Sequence, residues 1–176
     1  MAIDGEMSER LPWVSGTTEL DWDAAYAELL PRVYNYFRYR VGNEAVAEDL
    51  ASRTFEKAWT QRARYRRDLA GLATWVFSIA RNVAVDHLRA QRLHLPLEAA
   101  DDVAAAGSPH DSVSRASDLE RLAALLKQLP AREQELVALK YGAEATNRAI
   151  ATLTGLSESN VGTILHRVVQ QLRSVW

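Results

Sequence analysis

The chain has no cysteine among its 176 residues. That absence removes disulfide frameworks, thiolate zinc sites, iron–sulfur clusters and cysteine nucleophiles together. No run approaches 18 consecutive apolar residues, so nothing in the sequence reads as a membrane span or predicts direct membrane insertion. Basic residues are scarce at the start. Residues 1–20 hold Asp4, Glu6, Glu9 and Glu19 against Arg10 alone, without a continuous apolar stretch, which is wrong for a secretory leader. Strand alternation, a Gly-rich phosphate loop and a His-Glu-x-x-His pair are all missing. His87, His94, His110 and His166 are scattered, and Asp86 and His87, adjacent on a helix, point apart. No nucleophile, base and orienting group converge, so the expectation is a cytoplasmic protein that is not an enzyme and uses no metal or cofactor.

What is present is an ordinary globular balance, 48% hydrophobic and 25% charged, enough for one domain or two small ones. The net charge of −2 argues at first against a nucleic-acid partner. Its distribution argues otherwise: −6 over residues 1–31, +6 over 32–92, −3 over 93–130 and +1 over 131–176. Asymmetry of this kind points to a polyanion for the basic block, the alternative being a solvated Arg-rich surface.

Helix-period apolar spacing predicts an all-α protein of two small domains. A first helix over 21–41 carries Tyr26, Leu29, Leu30, Val33, Tyr34 and Phe37 and stops at Gly42, with Pro31 predicting a kink or break. Asn43 is placed to cap a second helix through Gln61, with Val46, Leu50, Phe55, Ala58 and Trp59 inward. Residues 62–70 read as a polar loop, and a third helix runs over 71–91. Residues 1–20 are then a flexible acidic arm, 21–92 a three- to four-helix domain, 93–113 a flexible Pro- and Gly-containing linker, and 114–176 a second domain. In that domain the helical period resumes from Ser114 to Pro130, continues over 131–141, and ends in two short helices at 146–154 and 158–174.

The last pair has helix-turn-helix spacing. Ala151, Gly155 and Val161 supply the small residue at the crossing, the turn glycine and the early apolar residue of the second helix. Ser157 can cap that helix, which places Ser157, Ser159, Asn160 and Thr163 at its groove-facing end. Arg148, His166 and Arg167 can add backbone contacts. A hairpin packing on a protein partner would share this spacing.

Taken in order, these segments resemble the extracytoplasmic-function class of bacterial RNA polymerase sigma factors, over roughly residues 22–92 and 115–174. Ala47-Glu48-Asp49-Leu50, Thr54-Phe55 and Ala58-Trp59 resemble the helix that docks on the polymerase clamp. Trp75 to Asn82, then Asp86 and Arg89, resemble the helix that meets the minus-ten element. Leu129-Pro130-Ala131-Arg132-Glu133 and the helix-turn-helix resemble the module that reads the minus-thirty-five element.

The resemblance implies an alternative sigma factor that binds core RNA polymerase, directs promoter-specific initiation, captures the melted minus-ten strand and reads the minus-thirty-five duplex. It implies core contacts at Glu48, Asp49, Ser52 and Arg53. Ser52 and Arg53 stand where the family often has Gln followed by Glu or Asp. Minus-ten contacts fall to Arg62, Arg64, Tyr65, Arg66 and Arg67, cations for phosphates and a ring for stacking, with Arg81, Asn82, Asp86 and Arg89 on one helix face beside them. Arg81 and Asp86 are alternatively an intrahelical ion pair. Phe55 and Trp59 are expected in the core. Minus-thirty-five contacts fall to Arg148, Ser157, Ser159, Asn160, Thr163, His166 and Arg167, while Ile164 and Ala149 replace a basic and an acidic residue common in the family. The implied partners are the clamp and flap of core polymerase, duplex and single-stranded promoter DNA, and an anti-sigma factor, for a monomer. The competing expectation is a two-domain helix-turn-helix regulator that binds duplex DNA independently of polymerase.

Overall fold

The structure is a computed structural model, and it describes residues 20–94 and 121–176. The acidic arm up to Glu19, most of the expected linker and the start of the helix expected from Ser114 lie outside the described residues. Helix α1 (Trp22–Val41) starts where Asp21 Oδ1 accepts a hydrogen bond from Ala24 N at 3.0 Å. It ends at Gly42, whose φ of +68° is the left-handed turn that closes many helices. Asn43 caps α2 (Glu44–Thr60) through Val46 N at 3.0 Å. A 3-10 turn over Arg62–Arg64 begins the loop to α3 (Leu72–His94), which runs three residues past its expected end. Helix α4 covers 121–127. Helix α5 (Ala131–Val137) widens into a π-helical turn (Ala138–Gly142), and α6 (Asn147–Thr154) and α7 (Glu158–Val175) follow. Among the described residues there is no strand.

Pro31 does not break α1. An interior proline costs a helix about 3 kcal/mol, but Leu29, Val33, Tyr36 and Phe37 are buried on both sides of it and both ends are capped. Burying a large apolar side chain is worth about 1.5–3 kcal/mol, so packing outweighs the local preference.

Helix α1 is the shared wall of the molecule. On one side it packs on α2 and α3 through a core that includes Leu50, Ala58, Val76, Phe77 and Ala80. On the other it packs on α5 and the π-helical turn. There Gly142 meets the backbone of α1 so closely that a Cβ would lie 2.8 Å from Asn35 O and 2.9 Å from Tyr36 Cα. Polar contacts reinforce the junction: Arg32 Nε donates to Ala143 O at 2.9 Å, and Arg40 Nη1 to Ala131 O at 3.3 Å. Arg81 Nε donates to Glu135 Oε1 at 2.7 Å, and its Nη1 donates to Leu153 O. The two helical halves, separate along the sequence, therefore close on one continuous core.

Tyr36 and Arg40 lie inside this junction, and Tyr36 Oη and Arg40 Nε have no hydrogen-bond partner there. Burial holds the Tyr36 phenol protonated well above the ordinary tyrosine range, and the adjacent Arg40 guanidinium offsets only part of that shift.

Candidate nucleic-acid and polymerase interface

Three stretches of surface carry the residues singled out by sequence. The first is α2. Glu48, Asp49, Ser52 and Arg53 are all exposed along one side of it. Asp49 Oδ2 accepts from Arg53 Nε at 2.9 Å, an i,i+4 ion pair with both partners more than half exposed. Pairs of this kind contribute about 0.3–0.5 kcal/mol, so a cation from another protein can take over the carboxylate at little cost.

The second stretch is the α2–α3 loop and the outer face of α3. Arg62, Arg64, Arg66 and Arg67 are exposed. The Arg62 guanidinium lies 4.0 Å from the Trp59 ring centroid, and Arg62 Nη1 donates to Trp59 O at 2.8 Å. Arg66 holds Asp68 in a two-point contact of 2.9 and 2.7 Å, which lowers the Asp68 carboxyl below its usual range. The Tyr65 ring lies 5.3 Å from that of Trp75. Asn82, Asp86 and Arg89 are exposed on α3. At 1.5 Å per residue, Arg89 lies about 25 Å along the axis from the loop end of the helix. The set is therefore an extended track with the arginine loop at one end.

Arg81 departs from that track. It turns to Glu135 and Leu153 across the junction, with a quarter of its side chain exposed, and the alternative Arg81–Asp86 ion pair is not made. Between α2 and α3 a cleft of about 550 Å³ brings Arg53, Lys57, Gln61, Asp86 and His87 together, with His87 Nε2 buried and unpartnered. Residues assigned to polymerase and to DNA thus share one cleft.

Phe55 and Trp59 are not both core residues. Phe55 is half-buried, packed 4.7 Å from the Tyr26 ring, and Trp59 is 52% exposed. Each meets a ring of α1, Tyr26 for Phe55 and Trp22 for Trp59, but among the described residues neither is fully covered.

The third stretch is the helix-turn-helix. Thr146 Oγ1 caps α6 through Ala149 N at 3.1 Å, Gly155 closes it at φ +72°, and Ser157 Oγ caps α7 through Asn160 N at 3.2 Å. Val161 and Ile150 are buried beneath, and Leu156 and Ile164 pack on the same core. Arg148, Ser157, Ser159, Asn160, Thr163, His166 and Arg167 are all exposed. Arg148 lies 3.8 Å from Glu158, and Arg167 donates to Glu133 at 2.5 Å. Glu133 and Glu135 hold arginines from α7 and α3, pairings that leave no local sequence signal because the partners are 34 and 54 residues away.

Residues 25–94 match the family described as Sigma-70 region 2, and residues 119–172 match Sigma-70, region 4. The chain is 31% identical over 150 residues to the ECF RNA polymerase sigma factor BldN of Streptomyces coelicolor, covering 84% of this chain and 57% of BldN. It is 31% identical over 155 residues to the ECF RNA polymerase sigma factor SigL of Mycobacterium tuberculosis, covering 85% of each. The chain is an extracytoplasmic-function sigma factor. Among the described residues of this sigma factor, no helix is long and apolar enough to cross a membrane. Its fold is similar to that of the sigma factor RpoE from Bartonella quintana, solved with the anti-sigma factor NepR. The TM-score is 0.71 at 19% identity, covering 88% of this chain and 95% of that one. CnrH, solved with the cytosolic domain of CnrY, gives a TM-score of 0.58 at 20% identity, covering 88% and 84%.

Proposed function

We propose that this sigma factor binds core RNA polymerase and directs initiation at promoters it reads with both halves. The observation that carries this is the pairing, on one chain, of a cationic loop ringed by aromatic side chains with a helix-turn-helix whose polar face is exposed. The exposed carboxylate row on α2, with Asp49 only weakly engaged by Arg53, offers a docking edge for cationic side chains of the polymerase clamp. Arg62, Arg64, Arg66 and Arg67 supply cations for a phosphate backbone, and Tyr65 supplies a face for a base taken out of the stack. At the other end, Ser159, Asn160 and Thr163 bring hydroxyl and amide groups to the groove-facing end of α7, flanked by Arg148 and Arg167.

The closed arrangement bears on the mechanism. Minus-ten and minus-thirty-five elements lie about 25 base pairs apart, roughly 85 Å of duplex at about 3.4 Å per pair. A folded body of this size has a radius of gyration of about 14 Å. The two halves must therefore part at the α1 junction for both elements to be read at once. Residues 95–120 can span about 86 Å when extended, enough to permit it. Parting also releases Arg81 from Glu135 to join Asn82, Asp86 and Arg89. An anti-sigma factor is the expected inhibitory partner, as the RpoE–NepR complex has for its own sigma subunit.

Run-off transcription with purified core polymerase across a genomic fragment library tests the proposal. The expected result is specific initiation that requires both proteins, with weak duplex binding by the sigma factor alone. Replacing Tyr65 or Arg66 by alanine should reduce open-complex formation more than core binding. Tight, sequence-specific duplex binding without polymerase would sink the reading in favour of an autonomous regulator.

A further inference from the structure

The α1–α2–α3 half carries an apolar groove that the proposed contacts leave unused. It has a volume of about 240 Å³ and is lined by Trp22, Tyr26 and Leu29 of α1, Phe55 and Trp59 of α2, and Val76 of α3, among others. Tyr26 and Trp59 are 48% and 52% exposed, an unusual outlay of aromatic surface to water. Trp22 stands edge-on to Trp59 and Trp75, with centroids at 5.9 and 6.2 Å, and Tyr26 edge-on to Phe55. The walls are therefore rigid rings. The volume falls below the roughly 300–1,000 Å³ of small-molecule pockets and suits one or two large side chains instead. One rim of the groove is the arginine loop, since Arg62 stacks on Trp59, and residues 62–68 carry four arginines against Asp68.

We propose that this groove is the seat of the chain's own N-terminal arm, with Leu11, Pro12 and Trp13 inserted between the rings. Five observations commit the groove to that occupant. Trp22, the first residue of α1, is itself part of the lining, so the preceding chain leaves from the groove's edge. Leu11 to Val14 lie 8–11 residues upstream of Trp22, a reach of up to about 26–36 Å. Ser15, Gly16 and two threonines between them permit the chain to fold back. A Pro next to a Trp favours the extended form that aromatic grooves accept at low ordering cost. The charges also match: Asp4, Glu6 and Glu9 precede the apolar stretch, and residues 1–20 carry −3 against +3 on the loop. With Leu11 to Val14 seated, the acidic residues reach the same arginines proposed above to hold a single strand. The arm is then a competitor of that strand, a consequence that rests on the strand-capture reading, whereas the docking itself does not.

The absence of native cysteine makes the test clean. A spin label on S8C, 14 residues from Trp22 but three from Leu11, should broaden the Trp59 indole resonance in the full chain while leaving Trp176 sharp. Replacing Leu11 and Trp13 together by serine should restore most of the Trp59 signal. Equal broadening of Trp59 and Trp176 would overturn the docking. Broadening that arises only between labelled and unlabelled copies would assign the groove to a second molecule and overturn it as well. The same double variant should bind a labelled oligothymidine of about twelve nucleotides roughly three- to tenfold more tightly at low salt, a gain that fades as salt rises. A restored Trp59 signal with unchanged oligonucleotide affinity would refute the competition. An oligonucleotide that binds neither protein would refute strand capture and leave the docking supported by the spectra.

Discussion

Gly142→Ala tests the junction between the two halves by the sign of its effect. Gly142 is outside the left-handed region, since only Gly42 and Gly155 among the described glycines have positive φ. At such a position alanine normally stabilises by about 0.4–1 kcal/mol, through the unfolded chain. In the closed molecule the new methyl would lie 2.8 Å from Asn35 O and 2.9 Å from both Asn35 C and Tyr36 Cα. These are backbone atoms in the middle of α1, which cannot swing away as a side chain would. Overpacking of that kind costs about 1–3 kcal/mol, so the net expectation is a loss of about 1–2 kcal/mol. For a chain of this length each kcal/mol shifts Tm by about 2–4 °C. Urea denaturation and thermal melting of the full chain read the sign directly. Dyes on cysteines introduced at Glu28 and Thr163 report whether α1 and α7 move apart. A raised or unchanged midpoint with an unchanged dye distance would refute the closed junction.

The other expectations concern single side chains. Tyr36 has a raised pKa, so the folded state keeps its proton where the unfolded chain has lost it. Its contribution is present below the ordinary tyrosine value near 10 and declines as pH rises above it. Tyr36→Phe should leave neutral-pH stability nearly unchanged, because the hydroxyl has no partner, and should flatten the alkaline decline in a pH series of urea midpoints. Ser157→Ala removes the cap of α7 and should cost about 1 kcal/mol, read as a lowered denaturation midpoint; no loss would place the cap elsewhere. Asp49→Arg should weaken association with core polymerase in a pull-down or fluorescence titration while leaving the melting curve within about 0.5 kcal/mol. Unchanged affinity would remove α2 from the clamp assignment.

The parts of this molecule readable from sequence are those in which cause and effect are close along the chain. Asp21, Asn43, Thr146 and Ser157 cap helices because each side chain reaches a backbone N–H three residues on. Gly42 and Gly155 end helices because a left-handed φ is cheap only for glycine. The helix-turn-helix and the motifs on α2 and α3 are local for the same reason, and their joint order along the chain carried the resemblance to the family. Pro31 shows the limit of local reasoning: the preference was read correctly and the buried face around it prevailed.

Tertiary structure decided whatever depended on what lies opposite. Period and hydrophobicity show which face of α2 turns inward, but not that Trp59 near its end stays half exposed among the described residues. Spacing puts Arg81 on one face of α3 with Asn82, Asp86 and Arg89, but only the packing of α5 brings Glu135, 54 residues away, within 2.7 Å of it. A stretch of sequence with Pro and Gly between two helical blocks suggests two bodies on a tether. Whether those bodies touch depends on a backbone-to-backbone fit at Gly142, which leaves no periodic trace in the sequence because its partner is a helix surface more than a hundred residues earlier.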